Sequence, residues 1–268
     1  MTTQNFNENR KYGVEIEFTV HQSLIYDLPM IGRRLGINIQ NESYNHTTKS
    51  HWKVITDASC GFELVSPPLK GKDGFNQIEL ACKALAEIGA TVNMNCGLHV
   101  HHDLNGASVK QIVNIFALYT KMEKTFDSMH PMSRRNNRFC QSSADLARYT
   151  RQGLLTKLST ITKIEELDQL FRDRYAKVNF RSYLKYGTIE FRQHSGTTNA
   201  AKIINWVMMS QQVVERANRT VKMNYNESRD CVEGLRNSLG LIAALGASDE
   251  IVNMFHFMKD RIKQFANS

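Results

Sequence analysis

The chain has 268 residues, and its 34 lysines and arginines outnumber 26 aspartates and glutamates, giving a formal charge of +8. Hydrophobic residues make up 41% and charged residues 22%, a balance that excludes a disordered tail, a collagen-like fibre and a membrane channel. No window approaches eighteen consecutive apolar residues, so no membrane span is expected. The polar start MTTQNFNENRKYG lacks the apolar core of a signal peptide. Five scattered cysteines (Cys60, Cys82, Cys96, Cys140, Cys231) form no C-x-x-C pair, which argues against a disulfide framework or zinc knuckle and fits a reducing cytoplasm. The basic balance points to an anionic partner, and nucleotides or polyphosphates satisfy it as well as nucleic acid does.

In chain order, residues 13–18 read as a strand with Val14, Ile16 and Phe18 on one face and Glu15 and Glu17 on the other. The short stretch from Lys70 to Gly74 reads as a turn entering a helix over 74–88, which Gly89 stops. Residues 97–101 form a second alternating strand, with Leu98 and Val100 opposite His99 and His101. Ser108 starts a helix over 108–128 that ends before Pro131. The loop Ser133-Arg134-Arg135-Asn136-Asn137-Arg138 suits a phosphate or substrate carboxylate, or else a solvated basic loop. Asn179 is a substrate contact or a plain strand asparagine. In residues 187–194, Ile189 and Phe191 face the core while Glu190, Arg192 and His194 share the other face.

From about residue 198 the pattern turns helical, through Trp206, Val207, Met209, Val213, Val214, Ala217 and Val221. Two further helices are expected, over 229–245 and over 249–266 after Ser248. The whole is an α+β chain with a helical C-terminal third and a boundary near 198.

Two carboxylates side by side on a sheet repel unless a cation or water neutralises them. A solvated strand face usually mixes Lys, Thr, Ser and Gln, whereas these three faces hold Glu, His and Arg. Carboxylates with imidazole suit magnesium or manganese, and an arginine among them suits phosphate. A metal–phosphate site therefore outweighs a solvated surface. Cys96, beside Gly97 and His99, carries no sequence mark of a lowered thiol pKa and is not read as a nucleophile. No phosphate-binding glycine loop of either common type occurs.

The segments GVEIEF (13–18), DASCGFELVSPPL (57–69), NMNCGLHVH (93–101) and YGTIEFRQH (186–194) together resemble the amidoligase family. That family belongs to the carboxylate–amine/ammonia ligase superfamily, with glutamine synthetase and glutamate–cysteine ligase. The resemblance implies a glutamine synthetase-like curved antiparallel sheet, a partial barrel flanked by helices. It also implies ATP and Mg2+ or Mn2+ as cofactors. One amidoligase-like domain over 1–268 is expected, with a catalytic core at 11–207 and a helical extension at 208–268.

Carried over by motif, Glu15, Glu17, Glu63, His99 and Glu190 are metal ligands. His101, Arg192 and His194 fall near the nucleotide. Asp57, Ser59, Arg134, Arg138 and Asn179 fall near substrate. Arg192 would stabilise the transferring phosphoryl group, and Asp57 would accept a proton from the amine, bind it, or pair with Glu63 on metal.

The implied reaction joins a carboxylate to an amine through an acyl phosphate. The partners expected are small molecules, a peptide or a modified nucleobase, with homo-oligomers possible. A small-acid kinase on the same fold is an alternative. So is a basic nucleic-acid-associated protein with a structural metal, although the basic residues are spread out and the motif strands lack interleaved aromatics.

Overall fold

The computed structural model describes residues 6–225 and 248–266. The helix expected over 229–245, and Cys231, lie outside the described residues. Among the described residues no helix is long and apolar enough to cross a membrane.

The strands are β1 (Lys11–Phe18), β2 (Ile39–Asn41), β3 (Trp52–Asp57), β4 (Gly61–Val65), β5 (Leu69–Lys70), β6 (Gly97–Asp103), β7 (Val178–Asn179) and β8 (Thr188–Ser195). They form one mixed sheet, ordered β2-β3-β4-β1-β6-β8-β7 with β5 beside β1, and the sheet is not closed into a barrel. The expectation of an antiparallel sheet needs correction at one edge, where β2 pairs with β3 in parallel. The ten residues between these strands give the chain room to cross over and re-enter in the same direction.

The chain divides into two compact units, one of Glu8–His101 with His194–Val207, the other of Met1–Asn7, His102–Gln193 and Met208–Ser268. In the first, β1 is antiparallel to β4, and β4 to β3. The predicted alternation holds: Val14, Ile16 and Phe18 are buried, with Leu64, Val54 and Trp52. Helix α1 (Leu28–Leu35) packs on α2 (Gly71–Glu87) and β2. Helix α2 leaves β5 directly, three residues earlier than the sequence pattern suggests. Between β3 and β4 the chain reverses through Gly61, whose φ of +110° is in the region that disfavours side chains.

In the second unit, α3 (Val109–Ser128) starts at Ser108 as expected, through a reciprocal capping box with Gln111. Short helices follow: α4 (Met132–Arg135), α5 (Ser143–Leu146), α6 (Arg151–Ser159), α7 (Ile164–Leu170) and α8 (Arg181–Tyr186). Phe116 of α3 stacks on Phe171 at 4.2 Å, and Tyr119 on Phe126 at 4.6 Å. Helix α9 (Ala200–Arg216) contributes to both units. Helix α10 (Asp249–Phe265) buries Ile251, Met254 and Met258, and is tied down by Arg135 donating to the Phe265 carbonyl at 3.0 Å.

Where α2 crosses β1 and β5, only a hydrogen fits. A Cβ on Gly74 would stand 2.9 Å from both Tyr12 Cζ and Leu69 Cβ, whereas one on Gly13 would meet only Ser66 Oγ at 3.6 Å. Gly74→Ala should therefore lower stability by about 1–3 kcal/mol in denaturant titrations, while Gly13→Ala should be near neutral. Equal stabilities for the two variants would show that the helix can lift off without loss.

Candidate active site

Strands β1, β4 and β6 gather the acidic and imidazole side chains of the first unit. The register sets Glu17 opposite Glu63. His99 is bracketed by carboxylates: its Nδ1 lies 3.0 Å from Glu15 Oε2 and its Nε2 3.4 Å from Glu17 Oε1. His101 Nε2 lies 3.2 Å from Glu15 Oε1. The Gly97 N–H donates to Glu17 Oε2 at 2.5 Å, fixing that carboxylate from the start of β6. These are not solvated faces, since Glu17 is 6% exposed and His99 5%.

Charge crowding follows from that burial. Burial pushes the Glu63 carboxyl well up, and the neighbouring charges of Glu15, Glu17 and Asp57 push it further. Burial acts the same way on Glu15, but the charges and hydrogen bonds of His101 and His99 outweigh it and hold Glu15 well down. Lys53 does not neutralise the cluster directly, because its ammonium donates to the Asn45 and Thr47 carbonyls and to Asn45 Oδ1. Ligand atoms of Glu15, Glu63 and His99 all lie within 4.8 Å of one another. Two carboxylate oxygens and an imidazole nitrogen close together, with one carboxyl pushed up by burial and then by like charges, fit a divalent cation.

In the second unit, β7 sets Asn179 opposite Glu190 of β8. The Asn179 amide donates to Glu190 Oε2 at 2.6 Å, and Arg192 Nη1 pairs with Glu190 Oε1. Arg192 Nε also donates to the Phe139 carbonyl at 3.5 Å. Glu190 is 4% exposed, so this face too is covered. His194, in the first unit, is buried against Trp206 with ring centroids 5.5 Å apart, and its Nδ1 lies 2.7 Å from the Ser195 carbonyl oxygen.

The remaining expected residues occupy more local settings. Asp57 closes the β3–β4 turn, with Oδ1 accepting from Ser59 N (2.7 Å), Ser59 Oγ (2.5 Å) and Cys60 N (3.0 Å). Burial raises its pKa, but those hydrogen bonds win and hold it below the usual range. Arg134 is buried, and its Nε and Nη2 donate to the Gln193 and Arg192 carbonyls at 3.2 and 2.6 Å. Arg138 is exposed over the Phe139 ring, 4.5 Å from its centroid.

The Cys60 thiol hydrogen bond lowers Cys96 to about 7 against the opposing effect of burial, although the side chain is fully buried.

Sequence reasoning missed a buried polar network behind β8. Lys177 Nζ lies 2.8 Å from Glu123 Oε1 and 2.6 Å from Asp127 Oδ1. Asp127 also accepts from Gln193 Nε2, at 2.5 Å, and Tyr119 donates to Gln193 Oε1. The Lys177 carbonyl accepts the Arg192 N–H at 2.8 Å. No spacing rule marks such a set, because the charges are buried by packing alone.

Two outcomes test these arrangements. The raised Glu63 pKa means the folded protein holds this proton more tightly than the unfolded chain, whose value is near 4.5. Its contribution is thus full below that pH and lost as pH rises through the folded value. In metal-free protein, Glu63→Gln should raise the melting temperature at neutral pH, with the gain shrinking toward pH 4.5. Added manganese should stabilise the parent and not the variant; a variant less stable than the parent at every pH contradicts the crowding. Lys177→Met removes the ammonium that Glu123 and Asp127 share, leaving Arg151 3.9 Å from Glu123 alone, and should cost about 3–5 kcal/mol in denaturant melts, against little change if the pair were solvated.

No curated protein matches the chain. Residues 8–214 match the model of one family, described as "Putative amidoligase enzyme". The matched span contains E-x-E, G-x-H-x-H and I-E-x-R in order and ends within α9. With most of its length inside that match, and its buried carboxylate–histidine strands inside it too, the chain belongs to the amidoligase family, which implies a ligase.

Proposed function

We propose that the protein is an ATP-dependent carboxylate–amine ligase that forms an amide or peptide-like bond through an acyl phosphate, on a glutamine synthetase-like sheet. The observation that carries this reading is the crowding of Glu15, Glu17 and Glu63 around His99, where burial and the neighbouring carboxylates push the Glu63 carboxyl well up. Amide formation from a carboxylate is unfavourable in water because the acid is an anion stabilised by resonance. Activation converts that anion to a mixed anhydride with phosphate as the leaving group. When bound, Mg2+ or Mn2+ with ATP would supply the phosphoryl group and offset the charge that develops on it.

In this reading Glu15, Glu17, Glu63 and His99 hold metal, and Glu190 is a further ligand by its place in the I-E-x-R motif. Arg192 holds the transferring phosphoryl group with its planar fork, and His101 and His194 face the nucleotide. Asp57 serves the amine better as a binding carboxylate than as a base, because its hydrogen bonds favour the charged form. Ser59 orients it by donating from both N and Oγ. Asn179 and Arg138 contact substrate. Arg134 acts through β8, since both of its placed donors hold strand carbonyls.

Glu190→Gln keeps shape but removes charge, and Arg192→Lys keeps charge but loses the fork. Each should lower acid- and amine-dependent ADP release about a hundred-fold or more, with melting temperatures close to the parent's. Products should weigh one water less than acid plus amine for each ADP released. Near-parental turnover in both variants sinks the site, and ADP release that ignores the amine identifies a small-acid kinase instead.

A further inference from the structure

In the first unit, the loop between β2 and β3 holds a set of side chains that neither the motifs nor the family match assigns. Lys53, at the start of β3, is 4% exposed. Its ammonium donates to the Asn45 carbonyl at 3.0 Å, to Asn45 Oδ1 at 2.9 Å and to the Thr47 carbonyl at 2.9 Å. Those three oxygens take all of its protons. Among the described residues no carboxylate pairs with it. Burying a charge without a counter-charge is costly, so packing alone does not explain this lysine.

Asn45 is held just as closely. Its Oδ1 also accepts the Thr47 N–H at 3.0 Å. Its Nδ2 donates to Glu42 Oε2 at 2.7 Å and to the Ser43 carbonyl at 2.9 Å. Glu42 is fixed in turn by His51, whose Nε2 lies 2.7 Å from Oε1, while Lys49 Nζ lies 3.6 Å from Oε2. An amine thus touches the oxygen of an amide carbonyl, a backbone N–H points at the same oxygen, and a carboxylate holds the amide nitrogen. Nucleophile, oxyanion donor and proton carrier for attack on that amide are all in place.

We propose that Lys53 and Asn45 join in an intramolecular isopeptide bond, with Glu42 carrying the proton. The neutral Lys53 amine tilts from the lone-pair direction onto the face of the amide and bonds to Asn45 Cγ. The carbonyl electron pair moves onto Oδ1, where the Thr47 N–H holds it. Glu42 takes the proton shed by the attacking nitrogen and passes it to Nδ2. The Cγ–Nδ2 bond then breaks, the carbonyl re-forms and ammonia leaves. Lys53 enters as an ammonium ion and an ammonium ion departs, so no proton, electron or co-reactant is left over.

The electrostatics agree with these roles. Burial pushes the Lys53 pKa down, against the charges of Glu42, Glu63 and Glu15, and so favours the amine. Burial acts to raise Glu42, but the hydrogen bonds of His51 and Asn45 outweigh it and keep Glu42 a charged base. Lys53 shares a cross-strand row with Val65 and Glu15, so the bond would fix the loop to the strand face that bears the carboxylates. The bond does not depend on the ligase reading.

The test is tandem mass spectrometry of the full chain, as purified and after a day at neutral pH. The intact mass should fall short of the sequence mass by one ammonia. Trypsin cuts after Lys49, so the peptide carrying Asn45 and the peptide carrying Lys53 should emerge joined, with Lys53 itself uncut. Lys53→Arg keeps the charge but not the amine, and the joined pair should be absent. Glu42→Gln keeps an acceptor for Asn45 but cannot carry a proton, and should slow joining about a hundred-fold. Separate peptides in the parent overturn the proposal, even where ammonia is lost, because Asn45 can also shed it by closing on its own backbone. Joining at the parent's rate in Glu42→Gln, or any joining in Lys53→Arg, overturns it as well. The parent decides the existence of the bond whether or not a variant folds.

Discussion

The repulsion among Glu15, Glu17 and Glu63 is the constraint around which the first unit is arranged. Three carboxylates on adjacent strands, Glu17 buried and Glu15 and Glu63 half-buried, are tolerable only if something offsets their charge. The fold supplies part of that offset. The Gly97 amide points at Glu17, and His99 and His101 take up Glu15. What is left falls on Glu63, whose carboxyl is pushed well up by burial and by its neighbours' charges. Apolar side chains at Val14, Ile16 and Leu64 are buried and anchor the strands from the other face.

The second unit handles buried charge differently. Lys177 is shared by Glu123 and Asp127, Arg151 Nε lies 3.9 Å from Glu123, and further hydrogen bonds come from Gln193, Ser142 and Tyr119. Replacing such a set by apolar residues of similar volume often leaves stability unchanged or improves it, so stability alone does not account for it. Its contacts run to the backbone and side chain of Arg192 and Gln193. Together with Arg134 it fixes the position of the short length of β8 that carries Glu190 and Arg192.

The parts of this arrangement that follow a period of two could be read from sequence. β1, β6 and β8 each alternate apolar and ionisable residues, so both their existence and the face bearing each carboxylate or histidine were legible. Ser108 likewise announced the start of α3. Strand β2 was not legible, since Ile39–Asn41 is too short to show alternation and its parallel pairing depends on a crossover. The helices from α4 to α8 span four to nine residues, less than the window in which a helical period stands out. Arg134 read as one of three loop arginines because burial distinguishes it from Arg138, and burial is a property of the packed chain. The shift on Cys96 was not legible for a related reason: its partner thiol is 36 positions away in sequence and adjacent only in space.

Neither unit is a continuous stretch of chain. The first takes Glu8–His101 and then His194–Val207, and the second takes its principal segment from between them. A nascent chain that has emerged only as far as His101 therefore lacks the segment that completes the first unit. At ordinary synthesis rates of 5–20 residues per second, that segment follows on the order of ten seconds later. During that interval β1, β4 and the start of β6 must persist with an incomplete core and with like charges already close together. Non-local closure of this kind slows folding and lengthens the exposure of apolar strand faces. The same interleaving means that truncation between residues 101 and 194 cannot release an intact first unit.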